Sequence, residues 1–357
     1  MKFIVGLSGG VDSTITAYLL KKEGHEVIGI TMKIWDDSFK SSNKKSACFG
    51  PDEIKDIEET KKIAKDLGIP FHIIDLSKEY INNIISYFKS EYISGKTPNP
   101  CIKCNQMIKF YYLLEKAKES GITYDYFATG HYAKVEFNNK LHRYILKKGI
   151  DKVKDQSYFL ALLKQEQLSQ IQFPLGDYKK QEIKKISSQI GLKLHEKKES
   201  QDFYSGDYIE LLGNIPDIGD IVNKDGKVLG RHKGICFYTI GQRKGLGISY
   251  KEPLYVTEID PLNNKIIVGT EQELYKKELI VKDLNWVSIN ELNKELKVKA
   301  RIRYMHKEDN AIIIPYERDK VKVKFEKSQR AIAPGQFAVF YDEDIVVGGG
   351  FIDKVIN

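Results

Sequence analysis

Nowhere in the 357 residues does an apolar run approach the ~20 that a membrane-crossing helix needs. The chain also enters a strand-like stretch at once, without the apolar core of a secretory leader. Both absences set the expectation of a cytoplasmic protein with no membrane partner. Cysteine is scarce: Cys48, Cys101, Cys104 and Cys236 are the whole supply. That is too few for a disulfide framework at this length, so in a reducing compartment any that cluster point to catalysis or metal binding. No second C-x-x-C and no H-x-x-x-H follows the Cys101/Cys104 pair, which counts against structural zinc. A Gly-Lys-Ser/Thr is missing after the first glycines, excluding a Walker loop, and G-x-G-x-x-G is missing too, excluding a dinucleotide fingerprint. Long repeats and low-complexity tracts are also absent. A net charge of +8 permits a polyanionic partner without demanding one.

What is present begins with Ser8-Gly9-Gly10-Val11-Asp12-Ser13, set between apolar Phe3–Leu7 and amphipathic Thr14–Lys22. The order reads as strand, tight turn, helix start. Adjacent glycines allow positive φ and close backbone approach, and Asp12 and Ser13 are suited to cap the helix. Helix N–H groups and the positive dipole end then converge where an anion is favoured. The plain alternative is an ordinary capped strand-to-helix turn.

Further on, strands are expected at Val27–Ile30, Phe71–Ile74 and Tyr126–Gly130, and helices over 52–67, 78–92, 105–120, 156–167 and 179–191. That alternation argues for a doubly wound parallel sheet with ligands at the strands' carboxyl ends. From Asp220 the texture changes to short runs of period two, such as Val321, Val323 and Phe325 between lysines, and an antiparallel barrel or sandwich is expected. The expected organisation is therefore an α/β domain over 1–205, a small central domain over 206–272 and a C-terminal antiparallel β-barrel over 273–357.

Thr97-Pro98-Asn99-Pro100-Cys101-Ile102-Lys103-Cys104-Asn105 is the second informative stretch. Two prolines extend the loop, and Asn105 can open the next helix, so Cys104 is expected at a helix N-terminus beside Lys103, where a thiol's pKa falls. The plain alternative is a pair of inert thiols.

The loop Ser8–Ser13 resembles the SGGxDS loop of the N-type ATP pyrophosphatases. Together with TPNPCIKCN, ATGHYA (128–133), KDQSYFL (154–160), YTIGQRKGLGI (238–248), ARIRY (300–304) and APGQ (333–336), it stands in the order and spacing of the bacterial tRNA-specific 2-thiouridylases. The resemblance implies adenylation by ATP, with Mg2+, of the C2 oxygen of the wobble uridine in the tRNAs for Lys, Glu and Gln. Sulfur from a cysteine desulfurase or a sulfur-carrier protein then displaces AMP. It implies ATP binding by Gly6, Leu7, Ser8, Gly9, Gly10, Val11, Asp12 and Ser13, with Met32 and Gly130 near adenine and ribose. It implies catalysis by Cys104, Cys101 and Asp12. Asn99, Pro100 and Cys101 match the segment that meets the target base. His131, Lys154, Asp155, Gln156, Arg303, Tyr304 and Gln336 match positions touching tRNA. For the charged ones the plain alternative is solvated surface, and for His131 a structural histidine. Strand alternation is expected to put Lys297, Lys299, Arg301 and Arg303 on one face, a stripe suited to phosphates.

One departure matters. Where many members of the family carry a second cysteine, this chain has Tyr204. Either Cys101 and Cys104 act as a persulfide pair, the favoured reading, or Cys48, Cys101 and Cys104 hold an iron–sulfur cluster. Two other functions compete: an adenylating synthetase of the same superfamily with a small-molecule acceptor, and a non-catalytic RNA-binding protein with a relict loop.

Overall fold

The computed structural model describes residues 1–36, 38–39, 47–190, 203–204, 206–213 and 217–356. The Gly191 that was expected to stop a helix, and Ser200 to Asp202 before Tyr204, lie outside them. The chain divides into two compact units. One comprises Met1–Ile84, Cys101–Asp207 and Asp344–Val346; the other comprises Ile85–Pro100, Tyr208–Glu343 and Val347–Asn357.

The first unit is built on a parallel sheet. Its strands are β1 (Lys2–Gly6), β2 (Glu26–Lys33), β3 (Phe71–Asp75), β4 (Tyr126–Ala128) and, after a hairpin of β5 (Ala133–Asn138) and β6 (Arg143–Lys148), β7 (Ile171–Gln172). Their spatial order is β3-β2-β1-β4-β7. Strand order reverses at β1, so the loops leaving β1 and β4 open a crevice at the carboxyl edge, where ligands bind in such sheets. Those two loops are Leu7–Gly10 and Thr129–His131.

Helix α1 (Val11–Lys22) is buried nearly all round, its Ser13, Thr14 and Thr16 included, because it is covered on two sides. Ala17 and Leu20 join Phe3, Val5 and Val27 in the core over the sheet, with Ala64 and Leu67 from α2 (Glu53–Asp66) and the turn after it. Ile15 and Leu19 face the other way and pack with Ile183 of the helix Lys180–Gln189. Burying a side chain of this size contributes about 1.5–3 kcal/mol. The packing also sets the beginnings of the two helices side by side.

Several expected helices differ in form. The stretch 78–92 is Ser77–Tyr80, a π-helical turn Ile81–Ile85, and Ser86–Ile93. The stretch 156–167 is only Ser157–Leu160 and Gln165–Leu168, with the Gln165 amide hydrogen-bonded both ways to the Tyr144 backbone of β6 at 2.9 Å. The hairpin itself was not foreseen. Phe137 near its tip is exposed, and in β6 the apolar Tyr144, Ile145 and Leu146 run together instead of alternating with polar residues, so the strand shows no period of two.

In the second unit, β8 (Gly219–Val222), β9 (Val228–His232), β10 (Tyr255–Asp260) and β11 (Lys265–Gly269) form a sheet in the order β10-β11-β8-β9. Ile221, Val256, Ile266 and Val268 make its own small core. Six more strands follow: β12 (Tyr275–Trp286), β13 (Leu296–Arg301), β14 (Asp309–Pro315), β15 (Val321–Arg330), β16 (Phe337–Asp342) and β17 (Ile345–Ile356). They run β12-β15-β14-β13-β16-β17, and antiparallel pairing of β12 with β17 closes the barrel. Closure removes exposed sheet edges. Inward residues Val298, Ala300, Ile313, Val323, Phe325 and Phe340 fill the barrel, matching the period of two in the sequence.

Candidate active site

Gly9 has φ +71°, a conformation that L side chains rarely adopt, whereas Gly10 is extended and serves as the N-cap of α1. Asp12 and Ser13 therefore do not cap the helix as expected. Ser13 ties the loop across itself: its Oγ donates to the Gly10 carbonyl at 3.1 Å and accepts the Ser8 N–H at 3.2 Å. Thr14 Oγ1 donates to the same carbonyl at 2.9 Å. The loop is thus closed by its own hydroxyls, with the N-terminal N–H groups of α1 facing the crevice.

Gly130 meets this loop backbone to backbone. A Cβ there would lie 2.8 Å from Asp12 C and from Ser13 N, so only glycine fits. Gly6 and Gly29 are close-packed against side chains instead: a Cβ on Gly29 would lie 2.5 Å from Leu7 Cδ1, and one on Gly6 3.2 Å from the Phe127 ring.

Asp12 is held from two sides. Tyr132 Oη donates to its Oδ1 at 2.8 Å, and Lys180 Nζ lies 2.6 Å from its Oδ2. The ammonium also sits 5.8 Å from the centre of the Tyr132 ring. Side-chain exposures of 14% for Lys180 and 25% for Asp12 place the pair in partial shelter, where an ion pair is worth more than on open surface. The sequence reading missed Lys180. A lysine opening a helix far along the chain carries no local signal.

A cavity of ≈ 320 Å³ opens beside the loop. Gly6, Leu7, Ser8, Asp12, Ser13, Met32, Gly130, His131 and Gln156 line it, bringing together residues expected to meet ATP and two expected to meet tRNA. Glu53 and Lys109, neither foreseen, also face it. Glu53 accepts the N–H groups of Ile34 and Trp35 at 2.8 and 2.9 Å, yet burial pushes its carboxyl above the ordinary range.

His131 is walled by Phe110 and Phe173, with ring centroids 5.8 and 5.7 Å away, and Thr129 Oγ1 lies 2.6 Å from its Nδ1. Burial, with a smaller push from Lys109, holds the imidazole well below its usual range, so it is neutral at physiological pH. Gln156 exchanges hydrogen bonds with Tyr132: its Oε1 accepts the Tyr132 N–H, and its own N–H donates to the Tyr132 carbonyl, both at 3.0 Å. Asp155 is 5% exposed and accepts from Gly149 N, Ser157 N and Ser157 Oγ. Lys154 lies in the turn before it, its N–H bonded to Asp151.

The cysteine segment departs from expectation. Helix starts at Pro100, with Pro100–Lys103 running into a π-helical stretch Cys104–Tyr112. Cys101, exposed, occupies the first turn, while Cys104 lies a turn inside. Asn105 does not cap; it is buried and its amide donates to the Phe159 carbonyl at 3.1 Å. Consequently the Cys104 thiol is not lowered. Burial pushes it up to about 12, with Lys109 opposing and Cys48 adding to the rise. Burial likewise raises the Cys48 thiol, again against Lys109, although the residue stays open toward solvent at the cavity mouth. Cys236 is buried in the second unit. Among the described residues, no three His, Cys, Asp or Glu side chains converge as a metal-binding group.

In the second unit, Gln336 is 7% exposed and its amide donates to the carbonyls of Thr97 at 3.0 Å and Pro98 at 3.3 Å. Thr97 N donates to Pro334 O at 2.9 Å, so the APGQ turn clasps the segment leading to Asn99 and Pro100. The basic stripe is shorter than expected. Lys297 and Lys299 point outward from β13, but the strand ends at Arg301 and Arg303 lies in the following turn. There the Arg301 guanidinium stacks 5.1 Å from the Tyr304 ring centre and donates to the His306 and Tyr304 carbonyls. Burial, then Arg303, Arg301 and Arg330, keep the His306 imidazole below its usual range.

Three family models match in succession: a tRNA methyl transferase HUP domain over residues 1–204, a tRNA methyl transferase PRC-barrel domain over 212–270, and an aminomethyltransferase beta-barrel domain over 276–352. A protein of Thermoanaerobacter sp. (strain X514) named tRNA-specific 2-thiouridylase MnmA 2 is 50% identical, over 99% of this chain and 98% of its own. Its counterpart MnmA 1 of Caldanaerobacter subterraneus subsp. tengcongensis is 49% identical over 100% and 99%. A Clostridium botulinum (strain Loch Maree / Type A3) protein, also named tRNA-specific 2-thiouridylase MnmA 1, is 46% identical over 99% of each chain.

Proposed function

The chain belongs to the tRNA-specific 2-thiouridylase family, and from that membership we propose that it is an ATP-dependent tRNA-uridine 2-sulfurtransferase working at the Ser8–Ser13 cavity. Its substrates are ATP and the tRNAs for Lys, Glu and Gln, and its sulfur comes from a cysteine desulfurase or a sulfur-carrier protein. The observation that carries the reading is the meeting, in one cavity, of a phosphate-gripping loop with Lys109 and a thiol, Cys48.

The chemistry answers a definite difficulty. A uracil carbonyl is a poor electrophile without a leaving group, and adenylation of O2 supplies one. Pyrophosphate is held by the α1 N-terminus and the loop N–H groups, as helix starts hold anions. Lys180 fixes Asp12 and adds positive charge where the departing phosphates accumulate negative charge. Met32 and Gly130 border the adenine and ribose. Neutral His131, backed by Phe110, walls the cavity against water, which would return the adenylate to uridine. Lys109 faces the thiols and favours their ionised form.

Magnesium would reach the site on the ATP phosphates, because both Asp12 oxygens already have partners in Tyr132 and Lys180. The exposed lysines Lys297 and Lys299, with Arg301 and Arg303 at the strand end, support contact with the tRNA backbone. Relatives matched over the whole length count against a small-molecule acceptor, and the intact loop counts against a relict. Pyrophosphate release measured with and without unmodified tRNA, followed by mass spectrometry of the tRNA, tests the assignment. Release without tRNA dependence, or no 2-thiouridine in the presence of a persulfide donor, would overturn it.

A further inference from the structure

Of the four cysteines, Cys48 is the one that lines the cavity beside the phosphate loop. Its placement is built rather than incidental. Phe49, next in the chain and fully buried, donates its N–H to the Phe203 carbonyl at 2.8 Å and forms a parallel bridge with Tyr204. The Phe49 ring stacks on Tyr80 at 5.1 Å and meets Tyr204 at 6.1 Å. Tyr80, buried in turn, lies within the electrostatic reach of Cys104, Cys48 and Cys101 together. The aromatic group Phe49, Tyr80 and Tyr204 thus anchors the Cys48 segment, and the helical turn Ser77–Tyr80 packs against the stretch Cys104–Tyr112, which carries both Cys104 and the Lys109 that lines the cavity with Cys48. Tyr204 itself has no sulfur, but the bridge it makes fixes a neighbour that has.

We propose that Cys48 is the sulfur-delivering residue of this enzyme and Cys104 the thiol that resolves it. The inference rests on the adenylation reading above. A persulfide donor charges Cys48 as Cys48–S–S⁻. The terminal sulfur attacks C2 of the adenylated uridine: the C2–S bond forms, the C2–O bond breaks, and AMP leaves with the former uridine oxygen and the electron pair. Cys104, its proton lost to solvent, then attacks Cys48 Sγ. The S–S bond to the tRNA breaks, 2-thiouridine leaves with its electron pair, and a Cys48–Cys104 disulfide forms. The two electrons that reduce the sulfane sulfur come from the two thiols, and a dithiol reductant restores them. Attack on a sulfur whose leaving group is a stabilised thioamide anion is the favourable direction of such exchange. This assignment differs from the Cys101/Cys104 pairing that C-x-x-C spacing suggests.

The full-length protein, tRNA transcript, ATP and glutathione persulfide are taken through a single turnover without reductant. Remaining thiols are then alkylated and the peptides mapped by mass spectrometry. A Cys48–Cys104 disulfide in proportion to the 2-thiouridine formed is expected. Cys48→Ser is expected to lose thiolation by about 100-fold or more, the scale set by deleting a catalytic group, while tRNA-dependent pyrophosphate release persists and reports an intact fold. Cys48→Ala repeats the test with a different side chain, and Cys236→Ser serves as the unaffected control. A Cys101–Cys104 disulfide with Cys48 alkylated throughout, or wild-type thiolation by Cys48→Ser, would overturn the assignment. Absence of pyrophosphate release from the wild-type protein would overturn the adenylation reading first, and this one with it.

Discussion

Lys180 Nζ stands 2.6 Å from Asp12 Oδ2, joining residues 168 positions apart at the mouth of the phosphate loop. The contact follows from Ile183 packing on Ile15 and Leu19, which sets two helix starts together. Lys180→Ala is expected to lower tRNA-dependent pyrophosphate release by about 10²-fold, the effect of removing one preorganised charge near a developing anion. Asp12→Ala should abolish it, and also cost about 1–3 kcal/mol of stability by leaving Tyr132 Oη and the ammonium without their acceptor. Steady-state kinetics with a thermal melt separates the two effects; a Lys180→Ala enzyme with unchanged kcat and KM for ATP would refute the role.

Gly130→Ala tests the close approach of the two crevice loops. The added methyl would sit 2.8 Å from Asp12 and Ser13 backbone atoms, which cannot yield as a side-chain tip can. Overpacking of this kind costs about 1–3 kcal/mol, and the displaced loop should raise KM for ATP. Retention of both the melting temperature and the KM would show that the loops have slack.

Cys104→Ser is expected to abolish thiolation while leaving tRNA affinity and pyrophosphate release near wild type. The thiol of the free enzyme, held up at about 12 by burial, supplies a pH signature. Being protonated from neutrality to well above pH 9, it should be alkylated at a rate that rises about tenfold per pH unit through pH 9–10 without levelling. The sign for stability follows: the unfolded thiol ionises first, so raising pH beyond 9 favours unfolding, and less so in the serine variant. A plateau in alkylation near pH 8 would contradict the burial.

Gln336 and Arg303 were both expected to touch tRNA, yet their surroundings predict different behaviour. Gln336→Leu strands the carbonyls of Thr97 and Pro98, so a loss of about 1–3 kcal/mol in stability is expected with an unchanged salt dependence of tRNA binding. Arg303→Ala should instead flatten the plot of log affinity against log salt by about one unit, the mark of one lost phosphate contact. Binding measured between low and moderate salt distinguishes a clasp from a contact.

Much of this site was legible because its signals are local. Glycines mark where backbone must turn or come close, so Ser8–Ser13 declared a phosphate loop before any fold was known, whereas Gly130 was singled out only through the family resemblance. The alternation of Val321, Val323 and Phe325 declared a barrel strand. Capping was misjudged because several short polar residues competed for one helix start, and packing settled on Gly10. Cys104 was misjudged for a related reason. Asn105 has the character of a cap, but its amide finds the Phe159 carbonyl, so the helix begins at Pro100 and the thiol lies inside it.

By itself the sequence determined the alternation of β1 to β4 with their helices, the anion-binding turn, the cysteine loop and the family. Each is written in neighbouring residues through backbone sterics and hydrophobic period. Tertiary structure alone decided that Lys180 holds Asp12, that Gln336 clasps Thr97, and that Phe49 on Tyr204 sets Cys48 at the cavity. These contacts join residues far apart in the chain, and side-chain packing, which has no local period, brings them together.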